Sequence, residues 1–412
     1  MTVATAASSV RLVRSVAESM RDALCGGAVG RMLVPPRETV EDATGTKFIS
    51  MPAVSPDHDL YINKVATIMP APERHGIPQA SHAATVTSVV PIFSVSTGRF
   101  LGVLDGAAVT NLKCAAVTAL VTDRCAAPDS RVLGIIGSGV QARQQLLGAS
   151  AVRDLAEVRI WSRDPRRAAA FARDASAMVA ATVNVVVCAS AVEASRGVDV
   201  LSTATTSVSP LPLAVDLPAH LHVNCMGAHT TESRELSVEL LRSSVLIVED
   251  LRTAIAEAGP SHAGALELDA LVSADASEFA CRRTIFASTG CAYLDLITCA
   301  HLADRHGDGP LSVTSTSTLA KEDFAVDTLG HDEVAGASVR GNGAPIDGTP
   351  SDAAIEAEFD VCTRRLGIDV PTDLKSGVVR GYRGLREMAA ALREVQDRHQ
   401  GGADRGKATS NG

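Results

Sequence analysis

Three small residues at the spacing Gly137-x-Gly139-x-x-Ala142 follow an apolar run and precede a segment with helical periodicity. At this spacing the first glycine permits a tight turn, the second lets backbone approach a phosphate, and the small third residue allows close packing of helix on strand. The N-terminus of the helix then offers unpaired N–H groups to an anion. The segment therefore predicts a dinucleotide site, with a purely structural turn as the alternative, and its residues are Gly137, Ser138, Gly139, Val140, Gln141 and Ala142.

The end of the next strand, EVRIWSR, predicts which dinucleotide is bound. A site for NAD usually has Asp or Glu there, because a carboxylate binds the ribose hydroxyls. This chain has Ser162 and Arg163 instead, with Arg166 and Arg167 just beyond. A hydroxyl and a guanidinium suit a 2′-phosphate, which a carboxylate would repel. The pattern favours NADP(H), with NAD(H) as the alternative cofactor and a solvated basic helix start as the alternative without function.

These residues need a parallel sheet to position them, and the surrounding sequence predicts one. Between residue 131 and about residue 250, short Val- and Ile-rich runs alternate with helical segments, which is typical of parallel strands covered on both faces. Residues 32–110 show short extended runs, the last of them GRFLGVLDGAAV, before a predicted helix in NLKCAAVTALVTDRC. Another helix is predicted over residues 10–25. The expected fold class is α/β, with a Rossmann-type domain after an N-terminal α+β domain.

Composition and charge narrow the function classes. The 412 residues are 46% hydrophobic but only 3% aromatic, so the core must be aliphatic. The net charge of −9 argues against a nucleic-acid or anionic-membrane partner. No apolar run reaches the ~18 residues of a membrane span, and Arg11 and Arg14 interrupt the N-terminal segment, so we expect a cytoplasmic protein. The nine cysteines show no CxxC pair and predict reduced core residues rather than a metal site.

Several motifs in a fixed order resemble the ornithine cyclodeaminase/μ-crystallin family over residues 10–305. They are VPPRETV (34–40), INKVATIMP (62–70), FSVSTGRFLGVLDGAAVTNLKCAA (93–116), GIIGSGVQAR (134–143), VNCMGAHTTESREL (223–236) and IFASTGCAYLDL (285–296). The resemblance implies a homodimer of two-domain subunits. Residues 1–125, with residues 291–305 returning to them, would form the substrate-binding and dimerisation domain, and residues 126–290 the Rossmann domain.

The same resemblance implies roles for three cationic residues. Arg37 matches the arginine that holds the substrate carboxylate, and a guanidinium suits that task because it can bind both oxygens. Lys64 matches the lysine beside the reacting carbon, which binds the carboxylate or transfers a proton. Lys113-Cys114 stands where the family usually has Arg-Thr, so Lys113 keeps the charge without the forked geometry. On the residues alone, Arg37 and Lys64 could each be ordinary surface charges.

The chain departs from the cyclodeaminases at GAHTTESREL. His229 replaces their acid/base aspartate, and an imidazole with an ordinary pKa of about 6.5 can exchange a proton with a nitrogen but gives an ammonium no permanent counter-charge. The usual AGE is also altered, to AGP at residues 258–260. Ornithine cyclodeamination is therefore disfavoured, and His229 is a candidate proton donor, with a spacer role as the alternative. His82 and Asp295 also match family positions, and we assign both mainly to architecture.

The nicotinamide ring should lie at the carboxyl ends of two later strands, where open α/β sheets hold their ligands. The residues expected there are Thr203, Ala204, Thr205 and Gly227. The expected activity is hydride transfer that reduces an imine or oxidises the corresponding amino acid. Two alternatives stay open: a cyclodeaminase that releases ammonia from ornithine or lysine, and a protein that binds NADP(H) without catalysis.

The C-terminal part of the chain is atypical for the family. Residues 306–352 are rich in Gly, Ser, Asp and Thr and predict a flexible linker. Residues 353–398 predict two amphipathic helices, and residues 399–412 predict a disordered tail. Two helices cannot bury both of their apolar stripes alone, so they should dock within the homodimer or on a partner protein.

Overall fold

The computed structural model describes the short strand Leu311–Ser312 and residues 3–69, 86–227, 230–231 and 234–305. The chain divides into two units, and all of these residues belong to the first, Met1–Gly330. Four predicted features lie outside the described residues, namely His82, His229, the helical extension 353–398 and the tail 399–412. Of the predicted linker 306–352, only the strand at residues 311–312 is described.

The described chain has five consecutive strands near its N-terminus and mostly alternating strands and helices after residue 131. In order, they are α1 (Val3–Cys25), α2 (Ala28–Arg31), β1 (Glu38–Glu41), β2 (Lys47–Ser55), β3 (Leu60–Ile68), β4 (Val86–Ser94), β5 (Phe100–Asp105), α3 (Gly106–Cys125), β6 (Val132–Ile136), α4 (Val140–Val152), β7 (Glu157–Trp161), α5 (Pro165–Met178), β8 (Asn184–Val187), α6 (Ala191–Ser195), β9 (Val200–Thr203), β10 (His222–Cys225), α7 (Val238–Arg242), β11 (Val245–Val248), α8 (Leu251–Ala258), β12 (Leu266–Glu267), α9 (Leu268–Ser273), α10 (Ser277–Ala280), β13 (Thr284–Ala287), α11 (Ala292–Asp304) and β14 (Leu311–Ser312).

The N-terminal sheet has the order β1-β2-β3-β4-β5-β14. Its first five strands pair antiparallel in chain order, and β14 pairs parallel with β5. Along β3 and β4, buried and more exposed residues alternate, because successive side chains point to opposite faces of a strand. Helices α3 and α11 contact the strands, and α1 packs against both helices.

Two helices begin earlier than the sequence patterns predict. Helix α1 begins before residue 10, and α3 begins at Gly106 rather than at Asn111. The cause at α3 is a capping interaction, since the Asp105 carboxylate accepts hydrogen bonds from two backbone N–H groups of the first turn. The GAAV segment that we predicted as extended is therefore helical.

The second sheet is parallel throughout its eight described strands. The spatial order is β12-β11-β13-β10-β9-β6-β7-β8. The chain proceeds from β6 to one side through β7 and β8, and then crosses back to pair β9 with the other side of β6. This reversal is the topological switch point, beside which ligands bind in open α/β sheets. Strands β12 and β13 follow the predicted end of the alternating region near residue 250, and β13 inserts between β10 and β11.

Apolar side chains cover both faces of the parallel sheet. On β6, Ile135 packs with α4 and α5 in one buried cluster, whereas the adjacent Ile136 belongs to a second cluster on the opposite face. Helix α3 runs between the two sheets and packs tightly on α4, since a Cβ at Gly148 would lie 2.5 Å from the Ala115 carbonyl oxygen. The predicted α/β class with a Rossmann-type sheet is confirmed, and the second sheet, in the N-terminal part, is antiparallel in its first five strands. Among the described helices, none combines the length and apolarity of a membrane span.

Candidate functional site

The glycine turn lies at the carboxyl end of β6, on the switch-point side of the sheet. Gly137 adopts a φ of +123°, which L side chains rarely adopt, and a Cβ there would lie 2.3 Å from the Ala204 carbonyl oxygen. At Gly139, no described atom lies within 4 Å of the Cβ position, so the turn opens onto free space. Helix α4 begins at the next residue, Val140. These features fit the pyrophosphate of a dinucleotide at the N-terminus of α4.

The end of β7 lies beside this turn. The hydroxyls of Ser138 and Ser162 are hydrogen-bonded, with their Oγ atoms 2.9 Å apart. Arg163 is exposed at the start of the loop that follows. The next carboxylate, Asp164, accepts a hydrogen bond from the backbone N–H of Arg166 and caps α5. Ser162 and Arg163 are therefore placed where the ribose of a bound dinucleotide is expected, and Asp164 is engaged in the helix cap.

A cleft with a cavity volume of about 250 Å³ lies at the carboxyl ends of β10 and β13. Its lining comes from α3, from the start of α4 and from the loops after the two strands, and consists of Lys113, Cys114, Gln141, Met226, Gly227, Ser288, Thr289 and Gly290. Two buried polar atoms of this lining, Gln141 Oε1 and Thr289 Oγ1, have no hydrogen-bond partner among the described residues. Buried polar atoms are rarely left unpaired in folded proteins, so the cleft fits a polar ligand.

Lys113 supplies positive charge directly to this cleft. Its side chain is buried, and within the described part of the chain it forms no ion pair. Burial acts to lower the pKa of the Lys113 ammonium, but Cys114, Asp295 and Glu249 act in the opposite direction and raise it above its usual value. Lys113 is therefore a charged group at neutral pH that faces an open space.

Lys64 lies in β3 and is bound by a carboxylate from α11. Its Nζ is 2.6 Å from Oδ2 of Asp295, which is fully buried. The other oxygen, Oδ1, has no hydrogen-bond partner among the described residues. Asp295 also acts electrostatically on Lys113, and Lys64 acts on Cys114, so the ion pair lies close to the cleft. We assigned Asp295 to architecture from the sequence, and the structure makes it the direct partner of Lys64.

Arg37 reaches the cleft from the loop before β1. Its Nη2 donates hydrogen bonds to the carbonyl oxygens of Thr289 (2.7 Å) and Gly290 (2.9 Å), and its Nε lies 2.5 Å from Oε1 of Glu257 in α8. Burial raises the pKa of the Glu257 carboxyl, while Arg37 acts to lower it. A Cβ at Gly290 would lie 3.7 Å from Lys113 Nζ and 3.9 Å from Arg37 Nη2. The two cations therefore flank the same glycine.

The loop between β13 and α11 is held from its other side by Glu249. Its carboxylate accepts hydrogen bonds from the hydroxyl of Ser288 and from the backbone N–H groups of Thr289 and Gly290, the latter two at 3.2 Å. Arg37 binds the carbonyl groups of the same loop. The loop that lines the cleft is thus fixed by a cation on one side and a carboxylate on the other.

Thr203 is the last residue of β9, with Ala204 and Thr205 directly after it, and Gly227 lies two residues after the end of β10. A buried residue that we did not predict, Glu235, connects them. Its carboxylate accepts hydrogen bonds from Thr203 Oγ1 (2.8 Å), the Thr205 N–H (2.6 Å) and the Gly227 N–H (2.8 Å). The sequence offers little signal for this role, because Glu235 lies in the polar run TTESRE.

The fold and the cleft define a Rossmann-type α/β protein with a cationic pocket beside its glycine turn. The profile of the Ornithine cyclodeaminase/mu-crystallin family matches residues 1–308, and the chain belongs to this family. The predicted resemblance is thereby confirmed.

The alignments with individual relatives span most of the length of each relative. Ketimine reductase mu-crystallin from Rattus norvegicus is 32% identical over 288 residues, which are 69% of this chain and 88% of that protein. The structure of Thermococcus litoralis Delta(1)-pyrroline-2-carboxylate reductase in complex with NADH and L-proline has 27% identity and a TM-score of 0.61, covering 73% of this chain and 96% of that one. A structure of lysine cyclodeaminase that addresses recognition of L-lysine, L-ornithine and L-2,4-diaminobutyric acid has 27% identity and a TM-score of 0.62, covering 76% and 94%.

Proposed function

We propose that the protein is an NAD(P)-dependent oxidoreductase that reduces the C=N bond of an imino acid, or oxidises the corresponding amino acid. The observation that carries the proposal is the buried Lys113, which forms no ion pair among the described residues and lies in a cleft between the glycine turn and the ends of the parallel strands. Relatives named ketimine reductase and Delta(1)-pyrroline-2-carboxylate reductase support this reaction class. A cytoplasmic location remains a prediction.

The residues of the Rossmann-type sheet fit a nicotinamide dinucleotide. The pyrophosphate would be held by Gly137, Ser138, Gly139 and the first residues of α4, Val140 and Gln141. The fully buried Ala142 would allow α4 to pack closely on the strands. The ends of β9 and β10, with Thr203, Ala204, Thr205 and Gly227, would border the ring. When bound in its reduced form, the nicotinamide supplies a hydride to the imine carbon.

The cationic residues fit the charge of the substrate. Lys113 would bind the carboxylate, with Arg37 beside it at Gly290. Reduction of C=N also adds a proton to nitrogen, and Lys64 would supply it, because an ammonium paired with Asp295 is held in a fixed position. His229, which lies outside the described residues, remains a second candidate for the proton donor.

NADP(H) is the cofactor that we propose. Ser162 and the exposed Arg163 would bind the 2′-phosphate, since Asp164 is engaged in the cap of α5. Arg163→Asp should weaken NADPH binding by about tenfold or more and leave NADH binding nearly unchanged, because only NADPH has a 2′-phosphate that would lose its contact with the guanidinium. Arg173→Asp, the same charge change on the exposed side of α5, is the control. Equal NADPH affinity in Arg163→Asp and in the wild type would refute the assignment.

We further propose a homodimer through the outer face of the antiparallel sheet. Five apolar side chains on the outer face of this sheet are 39–53% exposed, namely Phe48, Val65, Val89, Phe100 and Val103. Val65 and Val89 are directly paired across β3 and β4. An apolar patch of this kind on a folded subunit is typical of an interface. Light scattering should give a dimer for the wild type and a monomer for Val65→Glu/Val89→Glu; a monomeric wild type would contradict the proposal.

The activity is tested with purified protein and NADPH. Cyclic imines with a carboxylate, and keto acids with amines, are added while the absorbance of the reduced nicotinamide is followed. A substrate-dependent loss of absorbance supports the reductase. The second candidate function is a cyclodeaminase, which the similarity to the lysine cyclodeaminase structure favours. A cyclodeaminase would release ammonia from ornithine or lysine with no net change in NADPH. Binding of NADPH with neither reaction would indicate a non-catalytic binding protein.

A further inference from the structure

Glu235 is fully buried, and among the described residues its carboxylate accepts hydrogen bonds only from the chain at the carboxyl ends of β9 and β10. Besides the three hydrogen bonds given above, Cys225 Sγ lies 3.5 Å from Oε2. Among the described residues, no Lys, Arg or His forms an ion pair with it. A carboxylate buried without a cation is costly unless several donors satisfy its oxygens, so this arrangement requires the donors to stay in place.

These donors come from two strand ends that belong to different parts of the chain. Thr203 is the last residue of β9 and Thr205 lies two residues beyond it, while Cys225 is the last residue of the neighbouring β10 and Gly227 lies two residues beyond it. Beyond the last ladder pair, Cys225↔Thr203, one backbone hydrogen bond still joins the two segments, from the Met226 N–H to the Thr203 carbonyl oxygen at 2.9 Å. Past that bond, Glu235 binds both segments through the N–H groups of Thr205 and Gly227, and it thereby helps to set the separation of the two loops.

Shape complementarity at Gly227 supports the same role. A Cβ at this position would lie 2.1 Å from the Glu235 carboxylate carbon, so only glycine allows the carboxylate to approach the strand end. Gly227 also lines the cleft. The backbone that borders the cleft therefore rests directly on Glu235.

We infer that Glu235 is a positioning residue that fixes the ends of β9 and β10 around the nicotinamide ring. The inference rests on the proposed function, because it requires the ring to lie at these strand ends. Glu235 itself faces into the protein, with both oxygens bound to the two loops. Loss of its carboxylate should therefore disturb the ring and leave the adenosine and pyrophosphate part of the cofactor unaffected.

Asp199 provides a matched control at the opposite edge of the same sheet. Its Oδ2 accepts hydrogen bonds from the backbone N–H groups of Arg131 (2.8 Å) and Val132 (2.9 Å), at the amino end of β6. Like Glu235, it is a carboxylate bound to backbone N–H groups. Unlike Glu235, it lies far from the carboxyl ends of the strands.

The test compares NADPH with 2′-phospho-ADP-ribose, which lacks the nicotinamide. For Glu235→Gln, we expect the affinity for NADPH to fall by about tenfold, with the affinity for 2′-phospho-ADP-ribose within about twofold of the wild type. At saturation, the fluorescence of bound NADPH should shift towards that of free NADPH. Asp199→Asn should change neither affinity. Thr203→Val, which removes one donor and keeps the carboxylate, should change the fluorescence in the same direction by a smaller amount.

Four results are decisive. Wild-type affinity and fluorescence of NADPH in Glu235→Gln would overturn the inference while leaving the proposed function intact. An equal loss of both ligands would also overturn it, because Glu235 would then support the fold in general. If Glu235→Gln does not fold, an unchanged fluorescence in Thr203→Val overturns the inference. Failure of the wild type to bind either ligand would refute the proposed function itself.

Discussion

The two sides of the cleft differ in the charged groups that they present. The cationic side, with Arg37, Lys64 and Lys113, pairs two of its three cations with carboxylates and leaves Lys113 unpaired among the described residues. The neutral side is formed by the glycine turn and by the chain at the ends of β9 and β10, and it presents backbone and hydroxyl groups. Its carboxylate, Glu235, points into the protein and binds the strand ends. This division suits a charged amino or imino acid on one side and a nicotinamide ring on the other. Substitutions on the two sides should therefore impair different properties of the protein.

The largest effect is expected on the cationic side, at Lys64. Lys64→Met should lower kcat by about a thousandfold, because the proposed proton donor is lost, and should also destabilise the fold, since Asp295 is left as an unpaired buried charge. Adding Asp295→Asn should restore much of the stability, measured by urea unfolding, and none of the activity. Lys64→Met with kcat within tenfold of the wild type would assign proton transfer to another group.

The next effect tests the neutral side at its glycine turn. Gly137→Ala should lower the free energy of unfolding by about 3 kcal/mol and abolish detectable dinucleotide binding, because its positive φ and the nearby Ala204 carbonyl exclude a Cβ. Gly139→Ala is the matched control, with a φ of −83° and open space around the added Cβ.

Calorimetry should find Gly139→Ala folded like the wild type, with weaker dinucleotide binding, because the methyl group occupies space that the phosphates need. Full dinucleotide affinity in Gly137→Ala would show that the turn is only structural. The comparison thus separates the conformational role of one glycine from the ligand-facing role of the other.

The neutral side was the more predictable of the two from sequence, since its signals are local. The glycine spacing, the strand before it and the helix after it are adjacent in the chain, so the sequence was enough to place this turn between a strand and a helix, as the structure has it. That the turn binds a pyrophosphate stays a prediction. Strand order was less accessible. Strand β13 follows β12 in the chain but inserts between β10 and β11, and such an insertion depends on tertiary packing that no local pattern encodes.

On the cationic side, the sequence identified the cations but not their partners. Lys64 interrupts an apolar strand and is therefore conspicuous, whereas Asp295 lies 231 residues away in a helix whose pattern gives no reason to pair the two. Glu257 and Glu249 were missed for the same reason. Carboxylates are common on protein surfaces, and only the fold reveals which of them are buried against a cation.

A smaller effect concerns the pH dependence of folding stability, through a buried histidine at the start of β10, the strand whose other end borders the neutral side. His222 in β10 is fully buried, and burial lowers its pKa to about 3. In the unfolded chain, His222 takes up a proton near the ordinary pKa of about 6.5, whereas in the folded chain it stays neutral down to about pH 3. The free energy of unfolding is therefore at its full value above pH 6.5 and declines as the pH falls from about 6.5 towards 3. At pH 5, the loss should be about 2 kcal/mol.

His222→Gln removes this group while keeping hydrogen-bonding capacity towards Thr284 and Asn224. Urea unfolding at pH 7.5 and pH 5 should show a smaller difference between the two pH values in the variant than in the wild type. An identical difference in both proteins would mean that other groups cause the acid sensitivity.

The smallest effect returns to the cationic side, at the ion pair of Arg37. In Glu257→Gln, the guanidinium should stay in place, because its Nη2 remains bound to the carbonyl groups of Thr289 and Gly290. The site then carries one more net positive charge, and KM for an anionic imino acid should fall by about threefold, roughly 0.7 kcal/mol, at low salt. The gain should shrink as ionic strength rises. Glu278→Gln, which removes an exposed charge on α10, should leave KM unchanged. A higher KM in Glu257→Gln would mean that the Glu257 carboxylate orients the Arg37 guanidinium. The ion pair would then matter more for the position of Arg37 than for the net charge of the site.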